Sequence, residues 1–156
     1  MTKTNAMRLM EQAGIPIHVL EYEVDESDLS GLHAAQQLQM PPEQMFKTLV
    51  ARGDKTGICV FCLPVCCELD LKKAAKCSGN KKVEMIHVRE LLGLTGYIRG
   101  GCSPVGMKKQ YPTYLEETAI LYDEISVSAG ARGVQMRLDP EALIAYCHMT
   151  TADLIE

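Results

Sequence analysis

Residues 46–64, FKTLVARGDKTGICVFCLP, hold two apolar runs separated by RGDKTG. Runs of this length, rich in Val, Ile, Phe and Thr and bounded by turn residues, bury themselves as strands. Two such runs joined by so short a polar segment can only fold back on each other, antiparallel. The expectation is a strand over 46–51, a turn over 52–57 and a buried strand over 58–64, with a loop longer than the tightest hairpin type. With two Phe and no Trp in 156 residues, aliphatic side chains and Met must fill the core around this hairpin.

Elsewhere the pattern is mixed. Residues 4–13 suit a helix with Ala6, Leu9, Met10 and Ala13 on one side and Gly14 as its stop. Residues 15–24 alternate as a strand, 25–31 form a polar loop, and 32–40 a short helix ending at Pro41-Pro42. A turn of helix at PEQM leads into the hairpin. Asp70 is a good N-cap for LKKAAKC. A short strand over 81–86 and a helix over 87–94 follow. Residues 96–106 start as a strand and become a Gly-rich loop. Strands are expected over 118–125, continuing through 126–133 into a turn, and over 134–138. Asp139-Pro140-Glu141 then opens a helix over 139–148. Hairpin-joined strands without strict β–α alternation point to an α+β fold, one domain over 1–156 with a mixed, curved sheet flanked by helices.

Charge is unevenly placed. The net charge is −4, yet Lys72 to Lys109 holds nine basic residues against two acidic ones, a net +7. The rest carries −11, from seven basic and 18 acidic residues. An acidic protein with one basic third can present that third to a polyanion, although lysines also simply decorate solvated surfaces. No apolar run approaches the roughly 20 residues of a membrane-spanning helix. The N-terminal MTKTNAMRLMEQAG reads as an amphipathic helix, not a signal peptide. A cytoplasmic location follows as the expectation, and there seven cysteines are reduced thiols.

Five of those cysteines fall between residues 57 and 77. Cys59 and Cys62 sit in a β-like run, where side chains three apart point to opposite faces. Their sulfurs should diverge, which favours core packing over a metal or redox centre. Lys47 lies inside an apolar strand, sharing a face with Leu49 while Phe46, Thr48 and Val50 take the other. A half-buried ammonium needs an anion or a carbonyl, unless the chain simply snorkels at a strand end. GGCSPVG, residues 100–106, is a shaped loop whose N–H groups can meet an anion or oxyanion. It matches neither a P-loop nor a nucleophile elbow. Cys102 could act as a nucleophile, but His18, His33, His87 and His148 are scattered and carry no signature. SAGARG, residues 128–133, is a second Gly-rich turn.

Lys47-Thr48-Leu49, LDLKKAAK, KKVEM, TGYIRGGCSPVGMKK and VSAGARG occur in this order. Together they resemble the YbaK/EbsC family of bacterial aminoacyl-tRNA deacylases, related to the editing (insertion) domain of bacterial prolyl-tRNA synthetase. The likeness spans residues 5–153. It implies a mixed, barrel-like sheet flanked by helices, and release of cysteine mischarged onto tRNA(Pro). In such a protein Lys47, with Gly100 and Gly101, would form the catalytic centre. Tyr22, Thr48, Cys102, Ser103 and Pro104 would line the substrate pocket. Lys72, Lys73, Lys76, Lys108 and Lys109 would meet the tRNA. The implied partners are the acceptor end of tRNA(Pro) and, beside it, prolyl-tRNA synthetase, with neither membrane nor DNA. No metal or organic cofactor is implied, because the substrate's own thiol would attack its ester carbonyl. Ser30, Cys102 and Gln135 depart from the family pattern where the aminoacyl group should sit. A deacylase for Ala- or Ser-charged tRNA, and a non-catalytic tRNA- or nucleotide-binding module, remain open beside the leading reading.

Overall fold

A computed structural model describes residues 3–156. Met1 and Thr2, which head the expected amphipathic helix, lie outside them. The expected hairpin is present: β2 (Phe46–Gly53) and β3 (Gly57–Pro64) pair antiparallel from Phe46↔Pro64 to Gly53↔Gly57. Its tip is tied down by residues that follow α3 (Leu71–Ser78). Asn80 Oδ1 accepts from the Lys55 and Thr56 N–H groups at 2.9 Å, and Asp54 Oδ1 accepts from Lys81 and Lys82. A Cβ on Gly53 would come within 2.2 Å of the Asn80 side chain, so only glycine lets this clasp close. The clasp lays β4 (Val83–Met85) against β2.

Around the hairpin runs a five-stranded sheet in the order β4-β2-β3-β5-β8, where β5 is Thr113–Glu116 and β8 is Thr150–Ala152. A second, three-stranded sheet has the order β1-β7-β6, from β1 (His18–Glu21), β6 (Ile125–Ala131) and β7 (Val134–Leu138). An isolated parallel bridge, Met45↔Ser126, connects the two. The mixed α+β architecture is as expected, but the sheets meet at this bridge and do not close into a barrel.

Strand alternation decides the two cores. Phe46, Val50, Val60 and Cys62 face the space between the sheets, which α1 (Asn5–Gln12) fills with Met7 and Met10. Ala51, Cys59, Phe61 and Leu63 face the other way, onto Ala74 and Ala75 of α3. Cys59 and Cys62 therefore stand on opposite faces and pack as small hydrophobes, as their spacing predicts. Each large apolar side chain buried this way contributes about 1.5–3 kcal/mol. Asp70 caps α3 by accepting from Lys72 and Lys73, and Asp139 caps α5 (Pro140–Cys147).

Three sequence expectations need correction. No strand starts at residue 96, because the Tyr97 N–H donates to Thr95 Oγ1, turning the chain just after α4 (Val88–Thr95). No strand covers 118–125. The Glu116 carboxylate accepts from Thr118 N–H, starting a 3-10 turn over Glu117–Leu121 that leaves Ile120 and Leu121 exposed. β6 begins only at Ile125. β5 and β8 are unforeseen: at four and three residues they are too short for an alternating pattern, and each pairs in parallel with a strand distant in sequence.

Glu116 is buried, and its second oxygen accepts from the Leu154 N–H at 3.0 Å. One carboxylate thus joins the 3-10 turn to the segment that follows β8. Glu116→Ala orphans both N–H groups and is expected to lower stability by about 3 kcal/mol. Urea denaturation should show a reduced midpoint with an unchanged m-value.

Candidate active site

A cavity of about 320 Å³ opens between the two sheets. One side is β2, from Phe46 to Val50. Ser128 of β6 and Gln135 of β7 face it from the smaller sheet, and Tyr22 stands just beyond β1. The start of α2 (Gly31–Gln37) closes one end, where Ser30 caps the helix by accepting from the His33 N–H. The other end is apolar, with Met85, Ile86, Val88 and Leu91, an arrangement that follows from the clasp holding β4 on β2.

The Gly-rich loop forms the rim. Arg99, Gly100 and Cys102 line the cavity. The loop is held from behind by the second Gly-rich turn: a Cβ on Gly101 would lie 3.1 Å from the Ala131 and Arg132 backbone. Arg132 Nε donates to the Arg99 carbonyl at 2.8 Å. Tyr97 completes the brace, its hydroxyl donating to the Val105 carbonyl while its ring lies 3.0 Å from where a Cβ of Gly130 would stand. Burial pushes the Tyr97 hydroxyl up to about 12, so it remains a donor throughout the neutral range.

Lys47 is half-buried on β2 and lines the cavity. Among the described residues no carboxylate lies within 4.0 Å of it. A partly desolvated ammonium without an internal counter-ion is a standing binding site for an anion or a carbonyl oxygen. Gly100 has φ +86, and its N–H makes no hydrogen bond inside the protein among the described residues. The Gly101 N–H, in contrast, donates to the Ile98 carbonyl at 3.0 Å.

Of the residues singled out from sequence, Tyr22, Lys47, Thr48, Gly100 and Cys102 share this cavity. Gly101 lies behind it. Ser103 is buried, accepting from the Val105 N–H, and Pro104 lines a separate recess of about 180 Å³ near Tyr146. None of Lys72, Lys73, Lys76, Lys108 and Lys109 lines the cavity, and Lys109 also borders the recess. Lys73 is bound to Asp153 and to the Ile155 carbonyl. Ser30, Cys102 and Gln135, the three departures, all line the cavity, and Gln135 is fixed by the Ser126 hydroxyl at 2.8 Å. Arg99 and Ser128 are further lining residues. Arg99 could be found from the basic segment, but nothing in the sequence marks Ser128.

Cys102 is not a ready nucleophile. Burial pushes its thiol up to about 12, and Cys62 and Cys147 behave alike. A thiol that high is protonated at neutral pH, and among the described residues no histidine lines the cavity. Among the described residues no group of three His, Cys, Asp or Glu gathers as a metal site.

Comparison with known proteins places this geometry. The aminoacyl-tRNA editing domain matches residues 31–146. The chain belongs to the aminoacyl-tRNA editing family. It is 52% identical over 152 residues to EbsC of Enterococcus faecalis, which is named for Cys-tRNA(Pro)/Cys-tRNA(Cys) deacylation, covering 97% of this chain and 93% of that one. A solved structure named for trans-editing with prolyl-tRNA synthetase is 30% identical, with a TM-score of 0.84 over 100% of this chain and 99% of that one. A second solved structure, a hypothetical protein only 19% identical, has a TM-score of 0.86 over 96% and 97% of the two chains, and so shares the fold.

The braced loop makes a direct prediction. Gly130 has φ +98 beside the Tyr97 ring, so Gly130→Ala should cost about 1–3 kcal/mol in thermal unfolding. Cys102→Ala should leave the chemistry of the cavity intact, because the thiol it removes is protonated. A deacylation assay on the folded variant checks this.

Proposed function

We propose that this editing-family chain is a deacylase that releases cysteine from mischarged Cys-tRNA(Pro). The observation that carries the reading is that Lys47, with no carboxylate within 4.0 Å, and Gly100, whose N–H makes no hydrogen bond among the described residues, line one small cavity whose single thiol, Cys102, is pushed up to about 12. An ester whose acyl group brings its own nucleophile suits such a site. Lys47 anchors the terminal nucleotide or the ester carbonyl oxygen. The Gly100 N–H donates to that oxygen as it gains negative charge. The site holds the substrate thiol against the carbonyl carbon. The S–C bond forms, the ester C–O bond breaks, and the thiol proton ends on the ribose hydroxyl of the released tRNA. The products are a cyclic thiolactone and tRNA. Tyr22 and Thr48 border the aminoacyl group with Cys102, and Arg99 meets the adjacent phosphate.

Lys72, Lys76, Lys108 and Lys109 then serve the acceptor stem, as the +7 segment suggests. Ser103 and Pro104 support the loop rather than touch substrate. The reading implies a cytoplasmic protein working beside prolyl-tRNA synthetase, and one domain over residues 1–156. Ser30, Cys102 and Gln135 line the same cavity, which favours testing the amino acid directly.

A panel of Cys-, Ala- and Ser-tRNA(Pro) is the test. Loss of the cysteinyl ester is expected to be fastest, and a folded protein that leaves it intact refutes the proposal. Lys47→Ala should slow release by about 10²-fold or more, with unfolding unchanged. S-methylation of the substrate cysteine should stop release. Continued rapid release would mean that water, not the substrate thiol, attacks the ester.

A further inference from the structure

Behind the cavity wall lies a feature the proposed reaction does not use. Cys66 and Cys67 are adjacent in the chain, and their sulfurs are 3.8 Å apart. Cys66 is exposed and Cys67 half-buried. No other pair of cysteines in the described residues is in sulfur–sulfur contact, and Cys59, Cys62 and Cys147 are buried. Burial, the neighbouring Cys66 and the Glu116 charge push the Cys67 thiol up, and the Lys47 charge offsets them only in part, so the contact between the two sulfurs is what marks the pair.

The pair occupies a turn closed by the Cys67 N–H, which donates to the Pro64 carbonyl at 3.0 Å. The same turn carries Val65, whose N–H donates to the Met45 carbonyl at 2.8 Å and whose side chain lines the cavity. Val65 packs so closely on the start of α2 that a Cβ on Gly31 would come within 2.3 Å of its Cγ1. The dithiol, the cavity wall and the first turn of α2 are thus one packed unit.

We propose that Cys66 and Cys67 form a thiol–disulfide exchange site for low-molecular-weight disulfides, and that oxidising it moves the cavity wall at Val65. The Cys66 thiolate attacks one sulfur of the small disulfide, which is the oxidant. A mixed disulfide forms, the small S–S bond breaks, and one small thiol leaves with the proton that Cys66 gave up. The Cys67 thiolate then attacks Cys66 Sγ, and the second small thiol leaves with the Cys67 proton. Two protein thiols become one disulfide, and one small disulfide becomes two thiols. Contact between the sulfurs makes the second step intramolecular. Adjacent Cα atoms are about 3.8 Å apart, against a usual 4.4–6.8 Å across a disulfide. The ring is therefore strained, and strained disulfides are readily reduced, so the change reverses. Closing that ring twists the Cys66–Cys67 peptide, releases the turn hydrogen bond and shifts Val65.

The test uses the full chain and glutathione disulfide, and needs no tRNA. Peptide mass spectrometry should show the segment with both cysteines losing two hydrogens and keeping no glutathione. Cys67→Ser should retain one glutathione on Cys66, and Cys66→Ser should not react in that segment. In amide NMR spectra Val65 and Gly31 should shift on oxidation and return with dithiothreitol. Glutathione retained on Cys66 of the unaltered chain would overturn the proposal. So would earlier reaction at another cysteine, or unmoved Val65 and Gly31 signals in oxidised protein.

Discussion

The candidate site depends on two glycine-rich turns that touch backbone to backbone. A Cβ on Gly101 would press to 3.1 Å on the backbone of Ala131 and Arg132, which would have to give by a few tenths of an ångström, and Gly130 leaves room for the Tyr97 ring. Tyr97 and Arg132 then hold the loop by two of its carbonyls, Val105 and Arg99. A loop fixed this way holds Gly100, whose N–H makes no hydrogen bond among the described residues, at the cavity without help from a ligand.

Electrostatics completes the arrangement from the opposite strand. β2 runs between β3 and β4, and the Met45 bridge at its start ties it to the smaller sheet. β4 reaches β2 only from Ala51 to Gly53, so at Lys47 the strand is held by β3, through the Lys47↔Leu63 pair, and by the bridge two residues earlier. Lys47 projects from this strand half-buried, with no carboxylate within 4.0 Å among the described residues.

The sequence made the hairpin, the caps at Asp70 and Asp139 and the opposed faces of Cys59 and Cys62 legible, because each rests on local rules of period and capping. β5 and β8 were not legible: short parallel strands are specified by partners far along the chain. Residues 118–125 look like a strand, yet the buried Glu116 carboxylate turns the chain instead. The site divided along the same line. Lys47 and Gly100 stood out as residues at odds with their surroundings, a cation in an apolar run and a glycine in a shaped loop. Ser103 and Pro104 were expected to line the substrate pocket with Cys102, but Ser103 is buried against the Val105 N–H and Pro104 lines the separate recess. Ser128 is an ordinary strand residue that only the meeting of the sheets brings to the site.

The closure of the larger sheet by β8 also bears on how the protein is made. β8 pairs with β5, Leu69 bridges Ile155, and Glu116 waits for the Leu154 N–H. While residues 150–156 are still inside the ribosome, Leu154 cannot cover Phe61 and Leu63, and the buried carboxylate lacks one of its donors. The hairpin and α3 can form early, since their contacts are close in sequence. The sheet edge along β5 stays open until synthesis has passed β8, and an open edge is where a nascent chain is most prone to pair with a neighbour.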